Sequence, residues 1–177
     1  MDRTLVGLIE AEYRRYKSLG EGALRQLDEK ELAAGSSADN SVATIVWHMA
    51  GNLESRFTDF LNSDGEKPWR NRESEFERRA PSVGELMEKW ERGWEVLFDA
   101  LSRLGDQDLS RTVTIRGVAL RVDEALLRSL AHASYHVGQI VYVAKSAKGA
   151  HWKYLSIPPG GSAAYNANPT LEKAPRP

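Results

Sequence analysis

The chain of 177 residues contains no cysteine. This absence excludes a disulfide framework, a cysteine-based zinc site and a cysteine nucleophile, and it leaves histidine and carboxylate side chains as the available metal ligands. Neither sign of charge predominates, because the chain has 24 Lys and Arg residues and 25 Asp and Glu residues, for a net charge of −1. Such a balance gives no reason to expect nucleic acid or an anionic membrane as a partner.

Long apolar runs are absent as well. The N-terminal segment Met1–Ile9 lacks the apolar core of a signal peptide and is followed at once by Glu10. No stretch of the chain reaches the roughly 20 apolar residues that a membrane-spanning helix needs. We therefore expect a cytoplasmic protein without a membrane partner.

Four stretches repeat apolar residues at helical spacing, which predicts four amphipathic helices. They cover about residues 2–27, 41–61, 82–105 and 123–147. Ser82 and Glu85 form a capping-box pattern at the start of the third, and alternation around Arg116-Gly117 predicts a hairpin before the fourth. The expected fold is all-α, a four-helix bundle with a short β-hairpin before the last helix and an irregular C-terminal tail.

We expect residues 1–150 to form the bundle domain and residues 151–177 to form a tail that packs on it, with the last residues disordered. Residues 33–40 are small and polar and predict a loop. A second polar loop contains Trp69, which we expect to anchor it. The loop arginines Arg70 and Arg72 are either solvated charges or residues that bind a carboxylate or phosphate group of a substrate.

Three histidines are the candidate metal ligands of the chain. His132 and His136 lie one helical turn apart, so their rings project from the same face of the predicted fourth helix. His48 belongs to the second predicted helix and supplies a third imidazole from a different direction. Three such nitrogens hold Zn²⁺ or another divalent ion and leave a position open, as in a catalytic site. The alternative is three ordinary surface or hydrogen-bonded histidines.

The residues next to the histidines suggest roles but do not fix them. Asn52 and Gln139 lie within about one helical turn of the expected ligands and are candidates for holding a ligand ring or contacting substrate. Both are equally consistent with ordinary amides on a helix surface. The reacting group itself would be a metal-bound water or a metal-bound thiolate. His151, beside Trp152, is expected to pack on the bundle or face solvent.

The segments that carry the histidines resemble the DinB-like family of the superfamily that includes the YfiT-like thiol transferases. The most specific match is Tyr135-His-Val-Gly-Gln-Ile140, with His132 before it and Trp47-His-Met-Ala-Gly-Asn52 upstream. Further stretches are similar to a DinB-related subfamily of unknown function, namely residues 57–61, 64–72 and 155–160. Relatives often cap the last helix with Ser or Thr, and here Asp123 is expected to be the cap.

This resemblance implies a four-helix bundle whose metal is held by His48, His132 and His136. It also implies zinc or nickel as the ion, a homodimer, and a small-molecule substrate such as a low-molecular-weight thiol. The resulting hypothesis is a metal-dependent thiol transferase or hydrolase, with the two reactions left open. The alternative is a non-catalytic metal-binding bundle with a structural or stress-response interaction role.

Overall fold

The structure, a computed structural model, describes residues 2–35 and 40–170 of the chain. Over these residues it is a helical bundle with one two-stranded antiparallel hairpin, as predicted. The long helices are α1 (Thr4–Leu24), α3 (Val42–Phe57), α4 (Val83–Ser102) and α5 (Val122–Lys148). The short helices are α2 (Glu29–Ala33) and α6 (Ser162–Ala167). The hairpin strands are β1 (Thr112–Ile115) and β2 (Val118–Arg121).

Capping side chains mark where several helices begin. Ser41 Oγ accepts a hydrogen bond from Thr44 N at the start of α3, and Ser82 and Glu85 form the predicted capping box of α4. Asp28 and Glu31 form a second capping box, and the short helix α2 that follows was not predicted although its Asp-x-x-Glu pattern is present in the sequence.

The predicted cap of the last helix is wrong. Asp123 lies inside α5 as its second residue, and its carboxylate pairs with the Arg121 side chain at 2.6 Å. The backbone N–H of Arg121 donates instead to Glu124 Oε2 at 2.8 Å. Glu124 therefore satisfies the donor at this helix start, which is also where the helix dipole favours negative charge.

Helix α3 ends four residues before the predicted boundary, which was Leu61. Thr58 is extended and ends the helical backbone, and its hydroxyl donates at 2.7 Å to the carbonyl of Glu54, which also accepts the Thr58 backbone N–H. Asp59 follows in the left-handed region, with φ of 49°. Phe60 nevertheless stays buried, because the turn folds its ring back against Phe57 with the ring centroids 5.1 Å apart.

The helices pack in pairs around one apolar core. Helix α3 lies along α4, and α1 lies along α5. Gly93 of α4 allows the first pair to approach closely, since a Cβ at this position would lie 2.8 Å from Ala50 Cα. In the second pair the buried Tyr13 donates its hydroxyl to the carbonyl of Leu126 at 2.9 Å. Trp90 and Trp94 of α4 are fully buried between the pairs and belong to the core.

The hairpin and the long loop after α3 support one another. Arg116 and Gly117 form the two-residue turn with φ of 55° and 74°, the backbone of a type I′ turn, as predicted. The Asp64 carboxylate accepts both turn N–H groups, each at 2.8 Å, and Gly65 N donates to the carbonyl of Thr114 at 2.8 Å. These bonds hold the loop against the hairpin.

The C-terminal segment contacts the bundle through Trp152, which is buried, and through Lys153, whose backbone N–H donates to Gln26 Oε1 at 2.8 Å. The predicted disorder of the last residues lies outside the described part of the chain, as do residues 36–39 of the predicted loop over residues 33–40. Within the described residues, no helix combines the length and apolar composition that crossing a bilayer requires.

Candidate metal centre

The structure brings the three predicted histidines together. His48 comes from the middle of α3, and His132 and His136 come from successive turns of α5. Their ring centroids are 4.5–5.3 Å apart. His48 is buried, while the two rings of α5 are half-buried at the edge of the core. Two helices thus present three imidazoles to one point.

The nitrogens have the spacing of ligands to one ion. His132 Nε2 lies 3.3 Å from His48 Nε2 and 3.1 Å from His136 Nε2. Two nitrogens bound to zinc at 2.0–2.1 Å and a tetrahedral angle are about 3.3–3.4 Å apart, and an octahedral angle brings them to about 3.0 Å. One ligand atom from each histidine lies within 4.8 Å of the other two, and among the described residues no fourth ligand joins the set. The cluster can therefore hold a metal ion.

Protein acceptors hold the other nitrogen of two of these rings. His48 Nδ1 lies 2.9 Å from Glu75 Oε2, and His136 Nδ1 lies 2.7 Å from Gln139 Oε1. Since a carboxylate and an amide oxygen only accept hydrogen bonds, both Nδ1 atoms carry a proton, and in the neutral form of each ring Nε2 is the nitrogen with the lone pair. Metal-binding histidines are commonly oriented by acceptors of this kind.

Burial keeps the rings of α5 neutral. It is the main cause that lowers the pKa of His132 to about 4, and the nearby His136 and His48 act in the same direction. Burial also lowers the pKa of His136, although the hydrogen bond to Gln139 opposes this effect. A neutral imidazole is the form that binds a metal, so these rings do not need to lose a proton at neutral pH.

Glu75 is the centre of a buried charge network. Burial alone would raise its pKa, but hydrogen bonds from His48 and Arg70, together with the Arg70 charge, hold the pKa below its ordinary value. Arg70 Nε donates to Glu75 Oε1 at 2.7 Å and Nη2 donates to Oε2 at 2.9 Å. The carboxylate therefore stays ionised while it orients the His48 ring.

The sequence-based interpretation of the loop that supplies Glu75 needs correction. The arginine at position 70 was weighed mainly as a solvated charge, but its side chain is only 2% exposed because the Glu75 carboxylate neutralises it. The predicted anchor Trp69 is 55% exposed. The loop is held instead by Lys67 and Glu75, which are buried polar residues, and by the Phe76 ring, whose centroid lies 4.9 Å from that of His48.

Glu75 itself was not found by sequence reasoning, because it lies 27 residues from His48 in a polar segment. A signal was present in Gly51, a glycine in the interior of α3. A Cβ at this position would lie 2.8 Å from Glu75 Cδ and still closer to its Oε1. The glycine therefore makes room for the carboxylate beside the helix.

The other sequence candidates have distinct places. Gln139 accepts from His136, and its own amide donates to the Tyr135 hydroxyl at 3.2 Å. Asn52 lies one turn after His48 and lines a cavity beside the cluster. His151 is exposed and is not among the clustered histidines.

The cavity has a volume of about 390 Å³, and His48 and His132 are among the residues that line it. The hairpin forms another wall through Ile115, Val118 and Leu120. This volume falls in the range of small-molecule sites. A molecule in the cavity would therefore reach two of the clustered rings.

Comparison with known proteins places the chain in a family. Residues 2–161 match the model of a family described as a protein of unknown function (DUF1572). Because this match spans most of the 177 residues, the chain belongs to that family. No curated protein and no solved structure shows a significant match.

Proposed function

We propose that this DUF1572 protein is a DinB-like metalloenzyme that binds zinc or nickel through His48, His132 and His136. We propose further that it acts on a small molecule, by S-transfer of a low-molecular-weight thiol or by hydrolysis. The observation that carries the proposal is the arrangement of the three Nε2 atoms, two of which belong to rings whose Nδ1 protons are held by Glu75 and Gln139.

Each supporting residue has a definite task. Glu75 and Gln139 fix the tautomer and the orientation of His48 and His136, which places the lone pairs before an ion arrives. Arg70 keeps Glu75 ionised. Preorganisation of this kind strengthens metal binding, because less conformational freedom is lost when the ion binds.

The set of three histidines supports catalysis more than a purely structural role. Structural zinc sites usually have four protein ligands, whereas catalytic sites have three and an open position. When bound, a divalent ion would act as a Lewis acid that lowers the pKa of a water or thiol in the open position. The neighbouring cavity would admit the substrate, and Asn52 on its wall is suited to orient it through its amide.

Metal content of untagged protein, measured by mass spectrometry, tests the proposal. We expect close to one ion per chain in the wild type and a large loss in His48→Ala and His136→Ala, because each variant removes a ligand from a different helix. His151→Ala is the matched control and should keep its metal, since His151 is exposed and outside the cluster. A wild type that binds neither Zn²⁺ nor Ni²⁺ on incubation would disprove the proposal.

A screen of metal-loaded protein with thiol and hydrolase substrates then separates the two functional classes. Turnover that disappears in His136→Ala supports an enzyme. Stoichiometric metal without turnover favours the non-catalytic alternative, in which the ion ties α3 to α5. In that case chelation should lower the unfolding temperature, because an ion that binds only the folded state stabilises it.

A further inference from the structure

The cavity beside the histidines has a cationic wall. Among the described residues, its lining includes no carboxylate and the following five arginines: Arg56, Arg70, Arg72, Arg116 and Arg128. They come from α3, the long loop, the hairpin turn and α5, so four separate parts of the fold contribute an arginine to one space. Charge of one sign gathered in a partly enclosed space raises the local concentration of molecules with the opposite charge.

The nearby carboxylates do not neutralise this wall completely. Glu66 is shared, at 3.0 Å by Arg116, at 3.2 Å by Arg56 and at 3.8 Å by Arg70. Glu75 pairs with Arg70 and also accepts from His48, while Glu73 pairs with Arg72. Three carboxylates therefore contact four of the five arginines, and an excess of positive charge lines the cavity.

Two of the arginines retain donors for a ligand. Arg70 Nη1 is buried and makes no hydrogen bond with any described residue, although the rest of its guanidinium is held by Glu75. Arg128 is exposed, and its side chain makes neither a hydrogen bond nor an ion pair with the part of the chain that the structure describes. The Glu66 carboxylate lies 3.8 Å from Arg70 Nη1, which is too far for a hydrogen bond, and a buried donor without an acceptor is costly, so an acceptor on a ligand would satisfy it.

Arg128 also has a fixed relation to the metal ligands. It precedes His132 by four residues on α5, so its side chain leaves the same helix face about 6 Å away along the axis. Arg70 is joined to His48 through the Glu75 carboxylate. Both free donors therefore lie beside the histidine cluster.

We infer that the cavity binds the carboxylate or phosphate group of a small anionic molecule between Arg70 and Arg128, with the rest of the molecule directed toward the three histidines. The guanidinium of Arg128 can bind either group through paired hydrogen bonds, which Lys does not reproduce, and Arg70 Nη1 can donate one more. This inference rests on the proposed function for the role of the bound molecule as substrate, but anion binding itself requires only the arginines.

The test uses full-length protein freed of metal by chelation. Isothermal titration calorimetry with inorganic phosphate, succinate and the uncharged isostere succinamide is carried out on the wild type, Arg128→Gln and Arg25→Gln. Arg25 is the matched control, because it is exposed and does not line the cavity. We expect phosphate or succinate to bind and succinamide not to bind. Arg128→Gln should weaken the binding by about tenfold or more, and Arg25→Gln should leave it unchanged.

The outcomes separate this inference from the proposed function. Binding of neither anion, or an equal loss in Arg25→Gln, would overturn the inference, whatever the metal content of the protein. Arg128→Gln should retain wild-type metal content, because the Arg128 side chain makes no hydrogen bond to the three histidines. In zinc-loaded protein, 3-mercaptopropionate should bind more tightly than 3-mercapto-1-propanol. Equal affinity for these two thiols would leave the metal site standing and refute the anion site.

Discussion

Gly51→Ala tests whether the contact between Glu75 and His48 organises the metal centre. Position 51 lies on α3, three residues after the candidate ligand His48, and the substitution adds one methyl group without changing any candidate ligand or arginine. That methyl carbon would lie 2.8 Å from Glu75 Cδ, whereas ordinary carbon contacts are about 3.5–4.0 Å. The carboxyl group must therefore retreat by about 0.7–1.2 Å.

Such a retreat is enough to break the hydrogen bond to His48. A shift of this size along the bond lengthens the 2.9 Å separation between His48 Nδ1 and Glu75 Oε2 to about 3.6–4.1 Å, which is outside hydrogen-bonding range. Loss of an acceptor that orients a metal-binding histidine typically weakens metal affinity by about 10–100-fold, or about 1.4–2.7 kcal/mol. We expect Gly51→Ala to lose zinc affinity in this range, although all three histidines remain in the chain.

The assay is a competition titration of zinc against a chromophoric chelator, with circular dichroism to verify folding. Gly7→Ala in α1 is the matched control, because nothing lies within 4 Å of a Cβ at that position. It should leave affinity unchanged and raise stability by about 0.5–1 kcal/mol, the usual gain when Ala replaces Gly in a helix.

A double-mutant cycle with Glu75→Gln identifies the route of the effect. If Gly51→Ala acts by displacing the Glu75 carboxylate, it should cost little further affinity in the Glu75→Gln background. Glu75→Gln should also lower the free energy of unfolding by about 3–5 kcal/mol, since it leaves the buried Arg70 without its carboxylate. Wild-type zinc affinity in Gly51→Ala, with the same gain in stability as Gly7→Ala, would refute the reasoning.

Two further predictions concern the frame around the site. Gly93→Ala should lower the free energy of unfolding in urea by about 1–3 kcal/mol, because the new Cβ would lie 2.8 Å from Ala50 Cα between α4 and α3; a gain like that of Gly7→Ala would contradict this. Asp64→Asn should destabilise the protein at neutral pH, because the carboxylate accepts backbone N–H groups of Glu66, Gly117 and Arg116, which lower its pKa to about 2. Since this pKa is below the unfolded value of about 3.9, the stabilisation is complete above that value and is lost as pH falls toward 2. Urea unfolding from pH 7 to 2 should therefore show the wild type and Asp64→Asn converging at low pH, and a constant difference would contradict the assignment.

The parts of the fold that were predicted correctly are those with local causes. Helical periodicity identified the four long helices, and the Arg116-Gly117 pair identified the hairpin, because the residues that determine these elements are adjacent in the chain. The pairing of His132 with His136 is equally local, since a helix fixes the relation between residues four apart. Placing His48 beside them required the order of elements as well as the resemblance to a family, because no spacing in the sequence connects α3 to α5.

The parts that were not predicted depend on partners far away in the chain. A polar loop is ordinarily solvated, so nothing near Arg70 indicated that its side chain would be buried. Its burial becomes favourable only because Glu75 neutralises it, and Glu75 reaches α3 only because Gly51 has no side chain. His48 then completes the environment of that carboxylate. The loop is therefore stabilised by the same hydrogen bonds that orient a metal ligand, and any change that loosens the loop should weaken metal binding before it alters the helices.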